Sequence, residues 1–293
     1  MDDRQLDADS SPVSALVKHP HYPVGHVLLK NRHLFASMGI EDPLGQKLGK
    51  GAFGHAFKVP LLGDSVLKLT RDPTEMQAAF LLRGKKSRRI VHVYDVWAIP
   101  GTFHKDLRGW YLIHREYLHP LSKRDKNLIE NLFALFDDES LDLVIPRSQK
   151  QHATLAKWRG YIRDMLGGEG PVSGEGEDGV LRFGATHLKK EVQRAMILLI
   201  QIGEAVEEMR RAGIDWEDIH SDNMLRNAKG DLVIGDIGWG LMQEDFEQQI
   251  PWLTPEVAAA YVAANRPRPH PPEHQPETAS DPRRQEQEAT QTT

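Results

Sequence analysis

Between positions 218 and 238 the chain reads DIHSDNMLRNAKGDLVIGDIG, and three of its side chains, Asp218, Asn223 and Asp236, are of types that handle phosphate and a hydroxyl together. Transfer of a phosphoryl group between oxygens needs one carboxylate to orient the attacking hydroxyl and accept its proton. It also needs oxygen ligands that hold Mg2+ against a triphosphate. Asp218 fits the first requirement, and the neutral Asn223 with Asp236 fits the second. The competing reading is an Asx-rich turn beside a hairpin, where Asp and Asn serve only as turn formers. That reading requires two spacings and an upstream glycine loop to coincide by chance.

The upstream loop contains Gly49, Gly51 and Gly54 in LGKGAFGHAFKV, a GxGxxG set in a strand pattern that continues as strand. A dinucleotide-binding fingerprint would pass into a helix at this point. A continuing strand instead fits a hairpin over the phosphates of ATP, where backbone amides approach oxygens with no Cβ in the way. A glycine-softened hairpin without a ligand is the alternative. Lys68, in VLKL on the next expected strand, is flanked by apolar residues. It either points off the sheet to meet the α and β phosphates or is an ordinary exposed strand lysine. Glu75 is the nearest carboxylate able to orient it, although it follows Lys68 closely and also fits a first-turn acid favoured by the helix dipole.

Elements that position these residues are legible in the patterning. From Gln46 to Leu118 the chain is strand-like, with turns at Leu62-Gly63-Asp64 and Pro100-Gly101 and one helix starting at Asp72-Pro73-Thr74-Glu75. After Leu121 it turns helical: NLIENLFALF, HATLAKWRGYIRDML, and a long helix from about Leu188 to Arg211. On that helix Val192, Met196, Leu199, Ile202 and Val206 follow a 3.6-residue period. GGEGPVSGEGEDG, from Gly167 to Gly179, reads as a flexible acidic loop. Strands followed by helices predict a two-lobed α+β fold. Residues 1–13 are expected to be disordered, 14–45 to form an N-terminal extension, 46–121 a strand-rich half, 122–265 a helical half, and 266–293 a disordered Pro-rich tail.

Composition narrows the classes. With 293 residues and 40% apolar content, the chain can bury a sizeable core, and a net charge of −5 leaves no basic footprint for nucleic acid or anionic lipid. There are no cysteines, so thiolate chemistry and disulfides are excluded and a reducing cytoplasm is the expected setting. The acidic start is unlike a signal peptide, and AMILLIQIG is too short to span a membrane. His19, His21, His26 and His33 lack HExxH spacing, which favours packing or solvated roles over zinc.

Taken together, these motifs resemble the protein-kinase-like superfamily over about residues 46–245. Asp218 and Asn223 match the DxxxxN of its catalytic loop, and Asp236-Ile237-Gly238 matches its metal-binding DFG segment. The run from Asp218 to Met224, the glycine loop with the strand after it, and Val91-His92-Val93-Tyr94-Asp95-Val96 resemble the early serine/threonine protein kinases of T7-like bacteriophages. The resemblance implies a small β-rich N-lobe, a reduced helical C-lobe, ATP and Mg2+ as ligands, and serine or threonine hydroxyls of host bacterial proteins as acceptors. It places the adenine-binding hinge at Glu116 to Leu118, read by backbone. It also puts His220 where protein kinases carry a catalytic lysine, an exchange seen too in small-molecule kinases similar to aminoglycoside phosphotransferases. Those enzymes are one alternative, and a pseudokinase that binds nucleotide or a host protein without turnover is another. The usual His-Arg-Asp is Trp216-Glu217-Asp218, so no arginine is present to read a phosphorylated activation loop; activity that survives phosphatase treatment is the implied behaviour. Leu253-Thr254-Pro255-Glu256 echoes Ala-Pro-Glu but reads better as a capped helix start.

Overall fold

The computed structural model describes residues 23–42, 47–50, 54–103, 109–139, 149–167, 174–175, 181–182, 185–214, 220–238 and 249–267. Among the described residues two short helices come first, α1 (Val24–Lys30) and α2 (Arg32–Ser37). Strands β1 (Lys47–Lys50), β2 (Gly54–Lys58) and β3 (Ser65–Thr70) follow, then helix α3 (Pro73–Leu82) and strands β4 (Val93–Ala98) and β5 (Tyr111–Glu116). These strands form one antiparallel sheet in the order β1-β2-β3-β5-β4.

Both faces of the sheet are covered along β3, which is why SVLKLT is buried at nearly every position rather than alternating. Successive residues of a strand point to opposite faces, and the two hydrophobic clusters divide accordingly. Leu67, Leu69, Trp97, Ile99 and Leu112 pack with α1, α2 and Phe57. Val96, Ala98, Tyr111 and Ile113 pack with α3 and the helical half. Lys68 pairs across the sheet with Ile113 and so lies on that second face.

The helical half consists of α4 (Lys123–Glu139), α5 (Gln149–Leu166) and α6 (Ala185–Arg211). Leu128, Leu132, Trp158, Ile162, Leu199 and Ile202 are among the side chains that close its core. A two-residue strand, β6 (His119–Pro120), connects the halves and pairs with β9 (Met224–Arg226), which pairs in turn with β10 (Leu232–Ile234). Gly174–Glu175 (β7), inside the glycine-rich acidic segment, pairs antiparallel with Leu181–Arg182 (β8) just beyond it, so that segment contributes one strand of a short pair. An ion cluster braces α4 against α6 and β9: the nearly inaccessible Asp125 accepts from Arg194 at 2.6 Å and Arg226 at 2.8 Å. Burial would raise the Asp125 pKa, but the two guanidiniums outweigh it and hold the carboxyl below its ordinary range. The architecture is α+β in two parts. Among the described residues, no helix is long and apolar enough to cross a membrane.

The last helix, α7 (Pro255–Asn265), departs from the expected plan. Its start is the anticipated one, with Pro255 in the first turn and Thr254 Oγ1 accepting from the amide of Val257. Its position is not: Leu253, Ala258, Tyr261 and Val262 pack on the outer sheet face with α1 and α2, rather than with the helical half to which residues 122–265 were assigned. Tyr261 stacks edge-on against Trp97, and its hydroxyl lies 2.8 Å from His114 Nδ1. Each partner supplies an apolar face that the sheet alone would leave wet, and burial is the reason for the placement.

Burial lowers the His114 pKa to about 4. The unfolded chain therefore binds a proton below about pH 6.5 that the folded chain refuses. Stability present above that pH is lost as the pH falls toward 4, by on the order of 3 kcal/mol. Urea unfolding midpoints measured from pH 7 to pH 4.5 should fall steeply in the wild type and less in His114→Gln; equal slopes would exclude His114 as the cause.

Candidate functional site

The second sheet face, α3 and the chain after β10 meet around Lys68. In β3 every other residue is buried and Lys68 alone is half-buried, because its stem crosses apolar neighbours while the ammonium reaches carboxylates. The ammonium forms an ion pair with Glu75 and a second with Asp236 Oδ2 at 3.2 Å. Glu75 comes from the first turn of α3. That helix starts sharply because Asp72 caps it, Oδ1 accepting from the Thr74 amide at 2.8 Å, and Pro73 follows at the first helical position. Thr70 Oγ1 accepts from the Asp72 amide, which tightens the link between β3 and α3. The short separation of Lys68 and Glu75 in sequence is thus bridged by a tight, capped turn.

Glu75 is 1% exposed. Burial raises its pKa, against the opposing pull of Lys68 and Arg115. For Asp236 the balance is reversed: burial would raise its pKa, but Lys68 and Arg115 hold it below the ordinary carboxylate value. The Asp236 side chain retains 43% exposure, so this carboxylate is the one open to a ligand.

Asp236 is placed by its backbone. The amides of Gly235 and Asp236 both donate to the carbonyl of Asn223, at 2.8 and 3.5 Å, which ties the two expected metal-binding positions to each other. Asp236 Oδ1 accepts from the Gly238 amide, and a Cβ on Gly238 would stand 2.8 Å from Asp72 Oδ2 and 3.5 Å from the Glu75 Cβ. Glycine at 238 therefore lets the chain pass against the start of α3. Asn223 itself is buried in a 3-10 turn, Ser221–Asn223, that α4 supports: Ser221 Oγ donates to Glu130 at 2.7 Å, and Lys126 pairs with Asp222 at 2.6 Å. That bond to Lys126 lowers the Asp222 pKa. His220 precedes the turn in extended conformation and is exposed. Asp218 lies outside the described residues.

The glycine-rich hairpin is present in part. β1 pairs antiparallel with β2, Gly49 lies opposite Ala56 beside an irregular register, and Gly51 at the tip lies outside the described residues. At Gly54 the demand for glycine comes from the next strand, since a Cβ there would fall 2.2 Å from the carbonyl oxygen of Leu69. Close strand packing accounts for that glycine without any phosphate. In the connecting segment, Glu116 Oε1 accepts from the His92 amide at 2.8 Å, so its side chain fastens β4. Leu118 is buried in the core. Their side chains are structural, which leaves backbone as the part a ligand would meet.

Arg115 was not singled out from sequence. It lies on β5 opposite Val66, donates from Nη1 to the carbonyl of Gly235 at 2.5 Å, and stands 3.8 Å from Glu75. Its signal was a cation on the inward face of a buried strand, which only register identifies. No protein-family model matches the chain, and no curated protein matches it.

Proposed function

We propose that this chain is an ATP- and Mg2+-dependent phosphotransferase of the protein-kinase-like kind, transferring the γ-phosphoryl group to serine or threonine hydroxyls of proteins, host bacterial proteins if the phage likeness extends to targets. The observation that carries the reading is the Lys68 ammonium held between a buried Glu75 and a partly open Asp236, residues brought together from β3, α3 and the segment after β10. A lysine poised between two carboxylates is a phosphate-binding arrangement: Glu75 fixes the ammonium from behind while its outer side meets the α and β phosphates. The acceptor class rests on the likeness of residues 218–224 to the phage enzymes.

Asn223 and Asp236 are the residues that would hold Mg2+. Among the described residues no cluster of three or more His, Cys, Asp or Glu side chains gathers. One carboxylate and one amide nevertheless fit this ion, which completes its shell with water and substrate phosphates rather than a protein cage. When bound, the ion supplies charge neutralisation at the β and γ phosphates. Asp218 takes the proton of the acceptor hydroxyl, and His220 beside it contributes a hydrogen bond or positive charge.

The test is incubation with Mg2+ and γ-labelled ATP, with and without bacterial lysate, beside Asp218→Ala. Labelled protein that falls by about 10²-fold or more in the variant is the expected result. Label appearing only on a small acceptor would move the substrate class, and ATP uptake without turnover would make the chain a binding protein.

A further inference from the structure

Beyond the four side chains that this reading uses for ATP and magnesium, we propose that Arg115 is a positioning residue, clamping the Gly235–Asp236 peptide to the sheet and sharing the charge of Glu75. The inference rests on the phosphotransferase reading, since its consequence is Mg2+-nucleotide binding.

Register places the guanidinium. Lys68 pairs with Ile113 and Val66 pairs with Arg115. Paired residues share a sheet face, as do residues two apart on one strand, so Lys68 and Arg115 enter the same space from adjacent strands. Each side chain is 14% exposed. A guanidinium cannot shed its proton when it loses solvent, so it needs acceptors there. It finds the Gly235 carbonyl at 2.5 Å and Glu75 at 3.8 Å.

The Gly235 carbonyl belongs to the peptide bond that leads into Asp236, so its direction sets the position of the Asp236 Cα. The Gly235 amide is held by Asn223 and the carbonyl by Arg115. The expected Mg2+ ligand thus stands on a segment pinned from both sides, one pin from the Asn223 turn and one from β5. Room for this is kept by the absence of a side chain at 235, where a Cβ would lie 2.5 Å from Leu225 and 3.3 Å from Leu118.

Charge points the same way. Lys68 and Arg115 balance Glu75 and Asp236 within one cluster. When Lys68 turns its charge toward phosphate, Arg115 is the cation that remains beside the buried Glu75. The arginine therefore holds the site in one geometry before and after nucleotide arrives, without help from a phosphorylated loop.

Two variants separate the two roles. Arg115→Gln keeps a donor for the Gly235 carbonyl and loses the charge; Arg115→Lys keeps the charge and loses the planar fork. Binding of a fluorescent ATP analogue is followed by titration against Mg2+, with thermal melting to show that each variant is folded. Supporting groups of metal ligands are typically worth about 10- to 100-fold in metal affinity. A rise of that size in the Mg2+ concentration for half-maximal nucleotide binding is expected in at least one variant, with metal-free nucleotide affinity changed less than about threefold. Folded variants with unaltered Mg2+ dependence, beside a wild type that binds, overturn the role of Arg115 alone. A wild type that takes up no nucleotide overturns the phosphotransferase reading and this inference with it.

Discussion

Replacing Lys68 with methionine is expected to slow phosphoryl transfer by about 10²- to 10³-fold and to cost about 3 kcal/mol of stability near neutral pH. The kinetic loss follows from removing the cation held between Glu75 and Asp236. The stability loss has a different origin. Glu75 is buried, its pKa is already raised by burial, and Lys68 is the strongest opposing influence. Without Lys68 its folded-state pKa climbs further above the unfolded value, so folding is hindered by ionisation. The destabilisation relative to wild type therefore grows as pH rises through the raised folded-state pKa of wild-type Glu75 and fades below it. Arg115, 3.8 Å from Glu75, keeps the cost toward the lower end of what a broken buried pair shows. Lys68→Met combined with Glu75→Gln should recover stability to within about 1 kcal/mol of wild type while activity stays lost. Urea unfolding at two pH values and labelling rates on the same samples check this. Full activity in the double variant, or a double variant no more stable than the single one, would contradict it.

For Asp236→Asn the two readouts should separate in another way: transfer falls by about 10³-fold or more, while stability stays within about 1 kcal/mol of wild type. Asparagine keeps an oxygen that accepts from the Gly238 amide, and Lys68 keeps Glu75. What disappears is the negative charge on a side chain that is 43% exposed and so contributes little to the core. Because Lys68 and Arg115 hold the Asp236 pKa below its ordinary value, any acid limb that its protonation adds to the pH–rate profile is shifted below the ordinary carboxylate range. An asparagine variant with transfer within tenfold of wild type would remove Asp236 from the metal site.

The local features legible in sequence are those that depend on a few neighbouring residues. Asp72 followed by Pro73 caps α3, Thr254 followed by Pro255 starts α7, and Gly230, with φ of 80°, closes the hairpin between β9 and β10. The period of Val192, Met196, Leu199 and Ile202 marks the buried stripe of α6. Lys68 was legible as a candidate because apolar residues on both sides make its strand position unusual. Arg115 carried no comparable mark. In YLIHRE polar and apolar residues do not alternate, since both faces of β5 are covered, and periodicity cannot say which way a residue points.

What the sequence by itself determined, then, is the longer elements of residues 46–265 and the chemical types available on them, because capping, turn formation and helical periodicity act over one or two turns of chain. Only the tertiary structure decided which of those groups share a site. Lys68, Glu75, Arg115 and Asp236 meet because β3 and β5 are adjacent and because β10 is tied to the strand-rich half, with the Ile234 amide donating to Arg89 and the Ile234 carbonyl accepting from Val91. The same holds for α7, whose apolar side chains specify burial but not the surface that receives them. Burial is non-directional, so the choice of partner is made by the packed whole.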